Sequence, residues 1–252
     1  MKRFLCLAML VGVGGCQFRT LPDPNDPKTT GVMQPVVLRN NLKGAADQFF
    51  GRVKTREITD ARARKLLSDY ANKLLEEVPI EKIPADEAWE YAEIFITAER
   101  WKDARDCLVL AVKKPATEDR RVNDNLRLAR VLAKLGEVKE AISTARSVFD
   151  AKPTDKAPIL TSVLLELVPA AEGKGSDAEL AKLLLEAVPQ SEQTIVDTST
   201  DAGKLYLSAR PFHIRGAFTK AVELYTSARQ TAKAVEAANA ADEWEKRNRA
   251  RT

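Results

Sequence analysis

The chain has 252 residues, 44% of them hydrophobic and 30% charged, enough to bury one or two ordinary cores. Its 40 Lys and Arg stand against 36 Asp and Glu, a formal net charge of +4, too balanced for a nucleic-acid binder with a dedicated basic surface. One histidine and three cysteines exclude a framework of several disulfides and an ordinary zinc site, which draws on several His or Cys ligands.

Lys2 and Arg3 form a positive start, Phe4 to Val13 is an unbroken apolar run, and Gly14 and Gly15 precede Cys16. This is the layout of a secretory signal over residues 1–15. A spanning helix needs about 20 apolar residues, and the polar Gln17, Arg19, Asp23 and Asn25 arrive too early for one. Val13-Gly14-Gly15-Cys16 resembles the lipobox of bacterial lipoproteins, with Val13 where that motif usually has Leu. The resemblance implies cleavage before Cys16, lipid attachment and acylation there, palmitate included, and a mature protein anchored to a membrane without spanning it. Each buried methylene contributes only about 0.8 kcal/mol, so stable anchoring takes more than one acyl chain, which a lipoprotein lipid provides. Lipid attachment implies the bacterial cell envelope, and Gln17 after the Cys, rather than Asp, is similar to lipoproteins sorted to an outer membrane in some bacteria, which implies that membrane, facing the periplasm, if the bacterium is Gram-negative. The alternative is an ordinary signal peptide with an incidental Cys.

With Cys6 in the leader and Cys16 lipidated, Cys107 is the one free thiol expected, and no intramolecular disulfide forms. Its setting, CLVLAV, predicts a buried small hydrophobe rather than a reactive group. Residues 16–40 carry Pro22, Pro24, Pro27 and Pro35 among short polar residues. This composition predicts an extended tether reaching on the order of 70 Å at most.

From residue 41 to 252 the apolar period is helical and no strand is needed. Thr59 is a predicted N-cap, followed by Leu66, Leu67, Tyr70, Leu74 and Leu75 on one face. Pro84 with Asp86 and Glu87 predicts a second start. Pro79, Pro115, Pro153 and Pro189 recur at steps of 36, 38 and 36 residues, and Ala104, Ala141 and Ala178 at steps of 37. Proline cannot continue a helix, so these prolines are expected to end helices, and a period of this size means stacked helical hairpins.

The stretch GEVKEAISTARSVFDAKP, with Gly136, Ala141 and Pro153 and with Ala129 ahead of it, resembles the second helix of a tetratricopeptide repeat. Ala92, Trp101, Ala104 and Ala111 fit the same pattern, as do Gly216, Phe218, Ala221, Tyr225 and Ala228. Small residues let paired helices approach, and aromatics fill the gaps they leave. The resemblance runs from Pro84 to Arg229 and implies an all-α fold, an α-solenoid of antiparallel hairpins. It departs from the pattern at Pro169 with the loop AAEGKGSD, at Pro211, which is expected to interrupt a first helix, and in the 43-residue step from Ala178 to Ala221. Thr231 to Arg251 predicts a capping helix with Val235, Ala238 and Trp244 inward.

No chemistry-bearing constellation emerges. His213 is alone, expected at a helix end or turn near the groove, and no G-x-S-x-G, G-x-x-x-x-G-K-[ST] or G-x-G-x-x-G stretch occurs. No catalytic residue, cofactor or metal ligand is assigned. Tetratricopeptide-like arrays bind partner proteins or peptides along the face lined by first helices, so the resemblance implies a non-enzymatic scaffold or adaptor with an envelope protein or peptide as partner. The groove residues expected from the register are Trp89, Glu93, Asn123, Arg130, Tyr206 and Arg210, and four of them, Trp89, Tyr206, Arg130 and Arg210, are of the aromatic and Arg types that carry interface energy; the alternative is that Trp89 or Tyr206 belongs to the core and the two Arg side chains are simply solvent-exposed. Two other functional classes remain open at this point: a helical cell-wall-acting enzyme or its regulator, and a passive surface lipoprotein.

Overall fold

A computed structural model of the chain describes residues 34–249, Glu77 apart. The expected leader, Cys16 and the expected tether up to residue 33 lie outside the described residues. The protein is all-helical there: α1 (Pro35–Lys54), α2 (Asp60–Leu74), α3 (Ala88–Thr97), α4 (Trp101–Ala111), α5 (Glu118–Leu135), α6 (Val138–Arg146), α7 (Leu160–Ala171), α8 (Asp177–Gln193), α9 (Asp201–Ser227) and α10 (Thr231–Arg249). A single turn of 3-10 helix, Ile80–Lys82, leads towards α3, which begins at Ala88 after a turn rather than at Pro84 itself.

The folded part begins before the expected boundary at residue 41. Pro35 opens α1 at its first turn, where its missing N–H costs nothing, and Pro35 and Leu38 are already buried. Residues 35–40 therefore belong to the helical body rather than to the tether.

Local signals set several starts. Thr59, Thr117 and Thr200 each accept a hydrogen bond from the backbone N–H three residues on, at 3.2, 3.1 and 3.0 Å, satisfying one of the orphan donors of a first turn. Prolines act less uniformly than expected. Pro79, Pro115 and Pro153 do lie between helices, but Pro189 sits inside α8 and Pro211 inside the 27-residue α9, as Pro169 does inside α7. Tertiary packing along these helices outweighs the one backbone hydrogen bond that each proline removes.

The helices pack in consecutive pairs, α1 with α2, α3 with α4, α5 with α6, α7 with α8 and α9 with α10. The first member of each pair ends on a left-handed residue: Arg56, Glu99, Gly136, Gly173 and Arg229, with φ of 62°, 59°, 86°, 75° and 57°. At Glu99, Gly136 and Arg229 the hydrogen bonds are those of a Schellman turn. The next residue's N–H reaches back to Phe95, Leu132 and Tyr225 respectively, at 2.8–2.9 Å. Only two of the five positions are glycine, although a side chain there costs roughly 1–2 kcal/mol. Glu99→Gly is expected to stabilise by about 0.5–1 kcal/mol after glycine's extra unfolded-state entropy, a rise of about 1–3 °C in a thermal circular dichroism melt. No rise would mean that the Glu99 backbone is relaxed by neighbours.

One hydrophobic core runs through all the pairs, from Leu38 to Trp244. The small residues expected at crossings, Ala92, Ala104, Ala129, Ala141 and Ala221, are buried, and they let helices approach so that Leu108, Leu132 and Leu164 pack from both sides. Ala178 departs from the series. The α7–α8 loop carries two glycines, Gly173 and Gly175, and α8 starts four residues past the turn residue, against two for α6. Ala181 takes the buried place and Ala178 is half-buried. Cys107 is buried and free, and burial pushes its thiol up to about 12, so it stays protonated and inert at neutral pH. In α10 the inward face is Ala234, Ala237 and Trp244, while Val235 and Ala238 face outward. Trp244 takes the inward place expected of it, and the first half of the helix is offset by one residue from the expected register.

Candidate functional site

The first helices of successive pairs also touch one another: α1 meets α3, α5 meets α7 and α7 meets α9. Side-chain bridges join α3 to α5. The face made by these helices carries a continuous polar network that begins on α1. Arg39 holds Glu90 at 2.7 Å and Glu93 at 2.8 Å. Glu93 in turn meets Arg127 of α5 at 2.5 Å, and Arg127 lies 3.7 Å from Asp124, which also holds Arg120. Three cations alternate with three anions across three helices, so the network is neutral.

Trp89 sits inside this network. The guanidinium of Arg120 lies 3.6 Å from its ring centroid and that of Arg39 lies 4.8 Å away, so a cation from α1 and one from α5 both rest on an aromatic of α3. Each such contact contributes about 0.5–2 kcal/mol, the upper end only where water is excluded. Asp124 is 2% exposed. Burial raises its pKa, opposed by Arg120 and Arg127. Burial likewise lowers that of Arg127, opposed by Glu93. One Arg127 nitrogen makes no hydrogen bond. Asp124 and Arg127 both lie on α5, and the Glu93–Arg127 pair is what crosses from α3 to α5.

Of the six residues expected in the groove, Trp89 and Glu93 lie at the centre of this network. Arg130 follows on the same helix as Arg127 and bridges to Glu166 of α7 at 2.8 Å, both side chains about half exposed. Asn123 is tied down by the carbonyls of Asp119 at 2.8 Å and Lys156 at 3.4 Å. Tyr206 and Arg210 are elsewhere. Tyr206 is 8% exposed, and Arg210 lies over its ring while donating to the carbonyls of Glu192 and Thr194 at 2.9 and 3.2 Å. These two support the segment between α8 and α9 and are taken out of the groove by that task. His213 lies within α9, half-buried and edge-on to Phe212 at 5.5 Å, not at a helix end.

Arg39, Glu90, Arg120, Asp124 and Arg127 were not singled out by sequence. The spacing of Arg120, Asp124 and Arg127, four and three residues apart, is a detectable helical triad; nothing in the sequence shows that Arg39 joins it. On α9, Leu205 and Phe212 are each 70% exposed and seven residues apart. Phe212 borders a groove of about 290 Å3 with Leu165 of α7 and Gly216. Exposed apolar side chains grouped beside a groove mark interaction surfaces more than isolated ones do.

No helix among the described residues is long and apolar enough to cross a membrane, and among the described residues no group of three or more His, Cys, Asp or Glu side chains is placed to hold a metal ion. Comparison with protein-family models, with curated proteins and with solved structures finds no match, so function has to be argued from the chain's own residues.

Proposed function

We propose that this protein is a non-enzymatic interaction scaffold of the bacterial cell envelope, a tetratricopeptide-like α-solenoid tethered to a membrane by lipid on Cys16. The observation that carries the reading is the face built by the first helices of successive pairs. Trp89, Glu93, Arg127 and Arg130 line it on α3 and α5, and Leu165, Leu205 and Phe212 extend it over α7 and α9. Polar groups held rigid by their own ion pairs lose little entropy on binding, and exposed aromatic and Arg side chains are the types that anchor partners. Five pairs, each turned through one residue in the left-handed conformation, support the solenoid, and the leader's charge, apolar run and Cys16 support the tether.

Crosslinking in intact cells, followed by membrane isolation and mass spectrometry, tests both parts. Wild type is expected to yield one reproducible envelope partner. Trp89→Ala combined with Arg130→Ala should reduce its capture at least about fivefold, and Cys16→Ser should remove palmitate labelling and release the protein from membranes. Unchanged capture would refute the groove, and continued labelling of the Cys16→Ser chain would refute the anchor.

A further inference from the structure

We infer that the cleft between α1 and α3 receives an apolar side chain of a partner polypeptide whose neighbouring residue is a carboxylate. This rests on the scaffold reading and names what one end of its face takes. The cleft measures about 490 Å3, in the size range of ligand-binding clefts. Leu42, Leu67 and Ile94 line it from three helices, and Val36 stands 49% exposed among its lining residues. An apolar side chain entering it leaves water against apolar surface.

The polar edge is asymmetric, and that decides the partner's charge. Arg39 is held on both sides by Glu90 and Glu93. Lys43, one turn further along α1, lines the same cleft, is exposed, and makes no ion pair among the described residues. Arg39 and Lys43 against Glu93 leave the lining one positive charge in excess. A carboxylate beside the buried side chain meets the Lys43 ammonium, whereas a basic residue meets like charge. The groove at Phe212 carries no such preference, because Arg215 is engaged by Glu245 and Lys220 by Glu223, each at 2.5 Å.

Two fluorescein-labelled peptides, Gly-Asp-Leu-Leu-Asp-Gly and Gly-Lys-Leu-Leu-Lys-Gly, titrated with the full chain by anisotropy, test this. The acidic peptide is expected to bind about tenfold more tightly, with an advantage that shrinks as salt is added. Lys43→Glu should reverse the order, and Val36→Asp should weaken binding of the acidic peptide; circular dichroism verifies that both variants fold. Equal binding of the two peptides, or a preference untouched by Lys43→Glu, would overturn the inference. So would sedimentation showing self-association that Val36→Asp abolishes, since the cleft would then hold a second copy. A partner captured through Trp89 by a chain that ignores the acidic peptide sinks this inference and leaves the scaffold standing, whereas capture of no partner sinks the scaffold reading itself.

Discussion

Trp244→Ala is expected to cost about 3–5 kcal/mol. The indole is 2% exposed, packs on Phe218 with ring centroids 6.1 Å apart, and donates its Nε1 hydrogen to Glu192 at 2.8 Å. It therefore joins α10 both to its own partner, α9, and to the preceding pair through α8. Truncation opens a cavity and leaves the Glu192 carboxylate without this donor. Because Trp244 packs only α10 against α8 and α9, the loss is expected to fall first on α10. Limited proteolysis is expected to remove α10 from the variant at temperatures where the wild type is intact, with an early step in the thermal melt. A single cooperative melt at the wild-type temperature would show that α10 is held by other contacts.

Gly203→Ala is expected to cost about 1–3 kcal/mol through overpacking. A Cβ at Gly203 would lie 1.9 Å from the carbonyl oxygen of Asp197 and 3.0 Å from an Asp155 carboxylate oxygen, and the first of these is backbone that no rotamer change can move. The segment it would displace is held at several points. The Ile195 N–H donates to the Pro153 carbonyl at 3.1 Å, the Asp197 backbone N–H donates to the Asp155 carboxylate at 3.3 Å, and Thr200 caps α9 by accepting from the Gly203 N–H. Faster amide exchange confined to residues 194–203 is the expected signature. Gly44→Ala is the matched control: nothing lies within 4 Å of the added atom, so this interior helical position should gain about 0.5–1 kcal/mol. Equal effects of the two substitutions would refute the steric account.

The residues that sequence reading placed correctly share a property: their roles depend on neighbours within a few positions. Thr59 caps because its hydroxyl reaches the third N–H beyond it. Gly136 takes the left-handed turn, and Cys107 is buried because it lies on the apolar stripe of its own helix. Ala104 and Ala141 follow from a hairpin of constant length. The failures depend on distant neighbours. Pro189 and Pro211 look like stops until the packing of α8 and α9 is known, and Val235 looks inward until α10 docks by Trp244 and leaves it 54% exposed.

The candidate site divides in the same way. Trp89 and Glu93 were legible as neighbours on one face because residues four apart on one helix share a face. Their partner Arg39 was not, being about fifty positions away on a helix that sequence had assigned to the tether in part. Tyr206 and Arg210 match the right residue types and sit on the right helix, yet the segment joining α8 to α9 takes them up as support. The sequence by itself determined that the chain is helical, a few helix starts such as the one Thr59 caps, and which residues repeat, because periodicity and capping act over one or two turns. Only the tertiary structure decided which charges neutralise one another across α1, α3 and α5, and which face of α9 and α10 is left to solvent. Those outcomes are set by how helices far apart in the chain are rotated against each other, a quantity with no local signature.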